Sequence, residues 1–96
     1  MLSANSTVVA AKGQVSCELG DEAVILDVKA GIYYGLNPVG ARIWDLIQEP
    51  RTVDQIRNAI LQEYEIDLDS CERDLRALLE DLAARELVRI DHGTPA

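Results

Sequence analysis

Histidine occurs once in this chain and cysteine twice, and those scarcities remove most of the chemistry a small enzyme could use. His92 stands in a polar C-terminal stretch, with no neighbours in sequence to serve as metal ligands or as partners of a nucleophile. Cys17 and Cys71 are far apart and lack CxxC spacing, so neither a disulfide framework nor a zinc site is indicated, and both read as small apolar core residues. No Ser-His-Asp, Cys-His or phosphate-loop arrangement is present, and the carboxylates occur as helix caps and surface pairs. A catalytic role and a cofactor are therefore not expected.

Basic residues are also few, nine Lys and Arg against 17 Asp and Glu, for a net charge of −8. The imbalance sharpens after residue 48, where twelve acids face six arginines. Binding to nucleic acid draws much of its energy from basic groups that release phosphate counterions, so a polyanion partner is disfavoured, and an anionic membrane surface likewise. Long apolar runs are missing. The opening Met-Leu-Ser-Ala-Asn-Ser-Thr-Val-Val-Ala-Ala has no basic n-region, and no later stretch could span a bilayer, which points to a cytoplasmic protein.

What remains is 96 residues, enough for one domain with a modest core and too few for a second lobe. The expected layout is a flexible N-terminus over residues 1–13, one domain over 14–90 and a flexible tail over 91–96.

From Gln14 the pattern has period two. Val15, Cys17 and Leu19 alternate with polar residues, as on a strand with one face buried, and Gly20-Asp21 suits a hairpin turn. Residues 23–28 are aliphatic and β-branched, and Lys29-Ala30-Gly31 supplies a loop before a third strand over residues 32–36. There Ile32, Tyr34 and Leu36 share one face and Tyr33 takes the other.

The period then turns helical. Asn37-Pro38 is an N-cap followed by proline where its missing N–H costs nothing, and Val39, Ile43, Trp44 and Ile47 mark a face. Thr52 to Gln55 has the form of a capping box ahead of Val53, Ile56, Ile60 and Tyr64. A third helix starts near Asp67 or Asp69 and runs to about Arg85 on a stripe of Leu68, Cys71, Leu75, Leu78, Leu79 and Leu82. Asp69 with Arg73, Glu72 with Arg76 and Asp81 with Arg85 stand four apart in the favourable order. Residues 87–90 suit a short terminal strand. The expected fold class is α+β, an N-terminal three-stranded antiparallel sheet followed by three helices, similar to a winged helix-turn-helix.

A sheet of three short strands has two edges, and an exposed edge is a row of unpaired backbone donors and acceptors that another strand can complete. The third strand is the better candidate, because Gly31 and Gly35 keep its backbone uncrowded while Tyr33 and Tyr34 set large aromatic bodies beside it. The competing explanation for both tyrosines is packing of the sheet on a helix.

The run Gly31-Ile-Tyr-Tyr-Gly-Leu-Asn-Pro-Val-Gly-Ala-Arg-Ile-Trp44, with Thr52-Val-Asp-Gln-Ile56 and the leucine-rich last helix, resembles the PqqD-like family over roughly residues 14–90. That resemblance implies a recognition element for ribosomally made, modified peptides, binding the precursor's leader as an added strand between the third strand and the third helix. It places the peptide against Gly31, Ile32, Tyr33, Tyr34, Gly35 and Leu36, with Glu72, Arg73, Leu75, Arg76 and Leu79 as candidates on the helix. Founding members present a precursor to a radical SAM enzyme in pyrroloquinoline quinone synthesis and usually differ before the Leu-Asn pair. The double tyrosine is more similar to the stand-alone modules of lasso-peptide clusters, whose partner is a leader peptidase.

Three other readings compete. A DNA-binding winged helix would present Asp67, Asp69 and Glu72 to phosphates, against the charge balance. A small enzyme lacks its residues. A scaffold subunit without a peptide ligand shares the exposed edge, which would also let two copies pair as a homodimer.

Overall fold

A computed structural model describes residues 3–91 of the chain. The three expected strands are present as β2 (Val15–Leu19), β3 (Glu22–Asp27) and β4 (Ile32–Leu36), forming an antiparallel sheet in the order β2-β3-β4. They are preceded by β1 (Thr7–Ala10) and followed by α1 (Pro38–Leu46), β5 (Arg51–Thr52), α2 (Val53–Glu63), α3 (Leu68–Ala84) and β6 (Val88–Asp91). The fold is α+β, with a second antiparallel sheet in the order β5-β1-β6.

That second sheet corrects the expectation of a flexible segment over residues 1–13. β1 is its central strand, Val8 is fully buried, and Val8 pairs with Arg51 on one side and Ile90 on the other. The segment before it caps α2. The Ser6 and Ala4 carbonyls accept from the Val53 and Asp54 N–H groups at 2.9 and 3.1 Å, satisfying two donors that the first turn of a helix leaves open. Asp91, expected in the tail, ends β6, and residues 92–96 with His92 lie outside the described residues.

A second correction concerns β2. Val15, Cys17 and Leu19 were expected on a buried face, but they face solvent, with Val15 56% and Leu19 59% exposed. The core lies on the other side of the sheet, where Ala23, Ile25 and Leu36 are buried, and the edge strand β2 projects past the helices that cover that side. Alternation separates the two faces of a strand without saying which is covered.

The turns and caps follow their local chemistry. Gly20 takes φ +71° in the two-residue turn joining the paired Leu19 and Glu22. Gly31 takes φ +67° and donates its N–H to the Asp27 carbonyl at 2.8 Å. The Asn37 side chain accepts from the Gly40 N–H at 2.8 Å, and Thr52 and Gln55 form a reciprocal capping box at 3.1 and 3.0 Å. α3 starts on Asp67, whose carboxylate accepts from the Ser70 N–H at 3.0 Å, rather than on Asp69. It ends in a Schellman arrangement, with the Leu87 N–H donating to the Leu82 carbonyl and the Glu86 N–H to that of Ala83, at 2.9 and 3.0 Å. Glu86 itself sits at φ +59°, where glycine is usual.

One core joins these elements. Ile43, Trp44 and Ile47 of the α1 region, Val53, Ile56 and Ile60 of α2, and Cys71, Leu75, Leu79 and Leu82 of α3 pack on Val8, Ile25, Leu36, Leu87 and Val88. Leu68, the first member of the expected α3 stripe, is exposed instead, because it lies at the helix start beyond the packed turns. Gly40 allows close approach, since a Cβ there would sit 3.2 Å from both Leu36 and Asn37 side-chain atoms.

Candidate functional site

The two-residue turn at Gly20-Asp21 sets which backbone groups of the sheet are spoken for. In such a hairpin the flanking pair, Leu19 and Glu22, exchanges hydrogen bonds, so by antiparallel alternation Glu22, Val24 and Leu26 point their backbone groups at β2. Ala23, Ile25 and Asp27 then point theirs at β4, engaging Leu36, Tyr34 and Ile32. The backbone groups of Tyr33 and Gly35 are left facing outward, on a side of β4 where no strand pairs among the described residues.

The side chains of β4 divide as the period-two pattern predicts. Tyr33 lies on the solvent face at 71% exposure, while Leu36 is buried, Tyr34 half-buried and Ile32 half-exposed on the inner one. The Tyr34 hydroxyl donates to Asp81 Oδ2 of α3 at 2.6 Å, and the Arg85 guanidinium lies 5.1 Å from the centre of its ring. Burial and then the bond to Asp81 push the Tyr34 phenol up to about 12. The same bond, with Arg85 beside it, holds the Asp81 carboxyl below its usual range. This contact fixes the spacing between the free strand and the last helix.

Beside it a cavity of about 300 Å³ opens between β4, α1 and α3. Tyr34, Gly35 and Leu36 form its strand side, Val39, Gly40 and Ile43 its floor from α1, and Cys71, Asp74, Leu75 and Leu78 its wall from α3. The lining is apolar apart from Asp74, Asn37 and the tyrosine. Burial raises the Cys71 thiol, which keeps it protonated and makes it a packing group rather than a nucleophile. Among the described residues no group of three or more metal-ligating side chains occurs.

Of the residues singled out from the sequence, Tyr34, Gly35, Leu36 and Leu75 line this cavity, Gly31 precedes β4, Ile32 opens it, and Tyr33 lies on its free edge. Leu79 is fully buried in the core. Glu72 is held by Arg57 of α2 at 2.9 Å, Arg73 is exposed near Ser70 and Asp74, and Arg76 does not line the cavity. On α3, Asp74 and Leu78 line the cavity and Asp81 bonds Tyr34 beside it, three residues not singled out from the sequence. The missed signal was the spacing 74, 78, 81 and 85, one helical stripe beside the buried leucines.

A free strand edge, an apolar cavity behind it and a helix bonded to the strand through Tyr34 and Asp81 thus lie together on one side of the fold. The model of the family described as coenzyme PQQ synthesis protein D (PqqD) matches residues 22–88, and the chain belongs to that family. Among solved structures it is similar to TbiB1 in complex with the TbiA(beta) leader peptide, at 39% identity and a TM-score of 0.76, covering 92% of this chain and 99% of that one. No curated protein matches significantly. No helix among the described residues is long and apolar enough to cross a membrane.

Proposed function

We propose that this protein binds the leader region of a ribosomally synthesised precursor peptide, without catalysis of its own, and presents it to a processing enzyme in the cytoplasm. The carrying observation is the outward-facing backbone of Tyr33 and Gly35 beside the cavity walled by α3. The 39% identical TbiB1, solved with a leader peptide, supports the same reading. The leader adds a strand to β4 over Gly31 to Leu36. Residues of the leader in line with Tyr34 then point into the cavity toward Leu75 and Leu78, and alternate ones lie beside Tyr33 on the outer face.

The magnitudes suffice. About four backbone hydrogen bonds at about 0.5 to 1.5 kcal/mol net, with one or two apolar side chains buried at about 1.5 to 3 kcal/mol each, offset ordering costs to leave micromolar or tighter binding. The double tyrosine favours a leader peptidase of the lasso type as the receiving enzyme. Presentation to a radical SAM enzyme is the second reading, favoured by the family's description as a PQQ synthesis protein. Neither requires a cofactor on this chain.

Calorimetric titration with the synthetic leader half of the precursor encoded beside this gene tests the proposal. Saturable heat with a micromolar or tighter Kd is expected, and no heat at tens of micromolar would remove it. Adding the peptidase and the radical SAM enzyme separately to the loaded protein distinguishes the two partners by which one turns the precursor over faster than with free peptide.

A further inference from the structure

Four of the chain's nine basic residues, both lysines among them, line one cavity of a protein that carries −8 overall. The cavity has a volume of about 670 Å³ and lies where the β1-β2 loop, the β3-β4 turn, the end of α3 and β6 meet. Lys12 comes from the loop, Lys29 from the turn, Arg85 from the helix end and Arg89 from β6. Elsewhere Arg42, Arg51, Arg57 and Arg73 each meet a carboxylate within 4.0 Å. Lys12, Lys29 and Arg89 form no ion pair among the described residues. Asp27 and Glu86 share the lining, and Arg85 reaches Asp81 at 3.4 Å, so the positive excess rests on those three. The walls are tied in place. The Leu87 carbonyl accepts from Gln14 Nε2 and from the Ala11 N–H at 3.3 and 2.9 Å, and the Asp27 carboxylate accepts from the Ala30 N–H at 3.2 Å across the turn.

A smaller hollow of about 260 Å³ joins this basin to the β4 edge. It shares Asp27, Ala30, Arg85 and Glu86 with the basin and Tyr34 with the apolar cavity, and Ile32 lines it between them. The three form one trough along β4, apolar at the Leu36 end and basic beyond Ile32. We propose that the basin holds acidic side chains of the captured leader, in the stretch that runs past Ile32. The inference rests on leader binding at β4. An added strand advances about 3.3 Å per residue, so the residues next after the one beside Ile32 leave the sheet edge and pass the basin. There a carboxylate meets Lys12, Lys29 and Arg89, whereas the acidic excess of the remaining surface repels it. Charge thereby sets register. The apolar cavity accepts any aliphatic side chain of suitable size, but a slip of two residues carries the acid out of the basin.

Lys12→Gln, Lys29→Gln and Arg89→Gln, combined in one variant, remove three exposed cations and leave the core and the β4 edge as they are. Two peptides are titrated calorimetrically: the synthetic leader of the precursor encoded beside this gene, and the same leader with each Asp and Glu replaced by Asn or Gln. The variant is expected to bind the natural leader about tenfold more weakly than wild type does, and the neutral leader within about twofold of wild type. Single replacements in the peptide should trace the loss to acids at one end of it. Equal affinity of variant and wild type for the natural leader would overturn the basin's role. So would an equal loss with both peptides, which marks damage to the fold, or a loss spread evenly along the leader, which marks a general field. Failure of wild type to bind the natural leader would instead overturn the reading beneath it. Full leader affinity in the variant with weakened binding of the processing enzyme would assign the basin to that enzyme and also overturn the proposal.

Discussion

Two proline substitutions one residue apart separate a free edge from a paired one. Tyr33 carries its backbone groups away from β3, whereas Tyr34 exchanges hydrogen bonds with Ile25 inside the sheet. Tyr33→Pro therefore removes a donor that the unliganded protein does not use, and its ring is 71% exposed, so the stability change should stay within about 1 kcal/mol. Tyr34→Pro deletes a ladder bond, the half-buried ring and the contact with Asp81, and should cost at least about 2 kcal/mol. At about 4 to 8 °C per kcal/mol for a domain of this size, thermal unfolding followed by circular dichroism should barely move for the first variant and drop by about 8 °C or more for the second. Leader affinity of the folded Tyr33→Pro protein should fall about tenfold to a hundredfold, because one leader carbonyl loses its donor and the ring blocks the strand's approach. Equal destabilisation by the two prolines, or full affinity in Tyr33→Pro, would refute the assignment of β4's outer side.

Three further outcomes follow from particular residues. Glu86→Gly relieves a left-handed position at the α3 terminus and should stabilise by about 0.5 to 1 kcal/mol, raising the unfolding midpoint by several degrees, whereas a lowered midpoint would mean that the Glu86 side chain holds the turn. Val8→Ala should destabilise by about 1.5 to 2.5 kcal/mol in urea unfolding, as befits a fully buried side chain on the central strand of the second sheet. Tyr34→Phe should change the pH profile of stability at both ends. The folded protein keeps the Tyr34 proton to about pH 12 while an unfolded chain releases it near 10, so that contribution is present below about pH 10 and lost between about 10 and 12. The depressed Asp81 carboxyl acts in the opposite direction, contributing above about pH 4 and losing its effect as pH falls through the folded value. The phenylalanine variant should show a weaker slope in both windows, read from unfolding midpoints against pH.

The strands from Val15 to Leu36, the N-cap at Asn37 and the capping box at Thr52 were legible because each depends on residues within a few positions of one another. β1 was not. Its four residues sit among small polar neighbours, and its partners are a two-residue strand more than 40 positions on and β6 near the far end of the chain, so nothing local announces it. Tertiary context also decided the side of β2, since the middle strand β3 carries apolar residues on both faces and the apolar side of β2 is the one the helices leave uncovered. The third strand could be read as the edge, but the face of α3 turned toward it could not. That rotation is set by two contacts from other elements, Arg57 holding Glu72 toward α2 and Tyr34 holding Asp81 toward β4. Arg57 also pairs with Asp54 within α2, which commits it to that side.

Leader addition at β4 is tested most directly by backbone amide exchange followed by NMR, residue by residue, with and without the synthetic leader. Ile32, Tyr34 and Leu36 are bonded to β3 in the unliganded sheet, and Tyr33 and Gly35 are the open pair. Saturating leader should slow exchange at Tyr33 and Gly35 by about tenfold or more. Unchanged exchange at those two amides, with new protection at Ser16 and Glu18 on the β2 edge or along the helices, would contradict it.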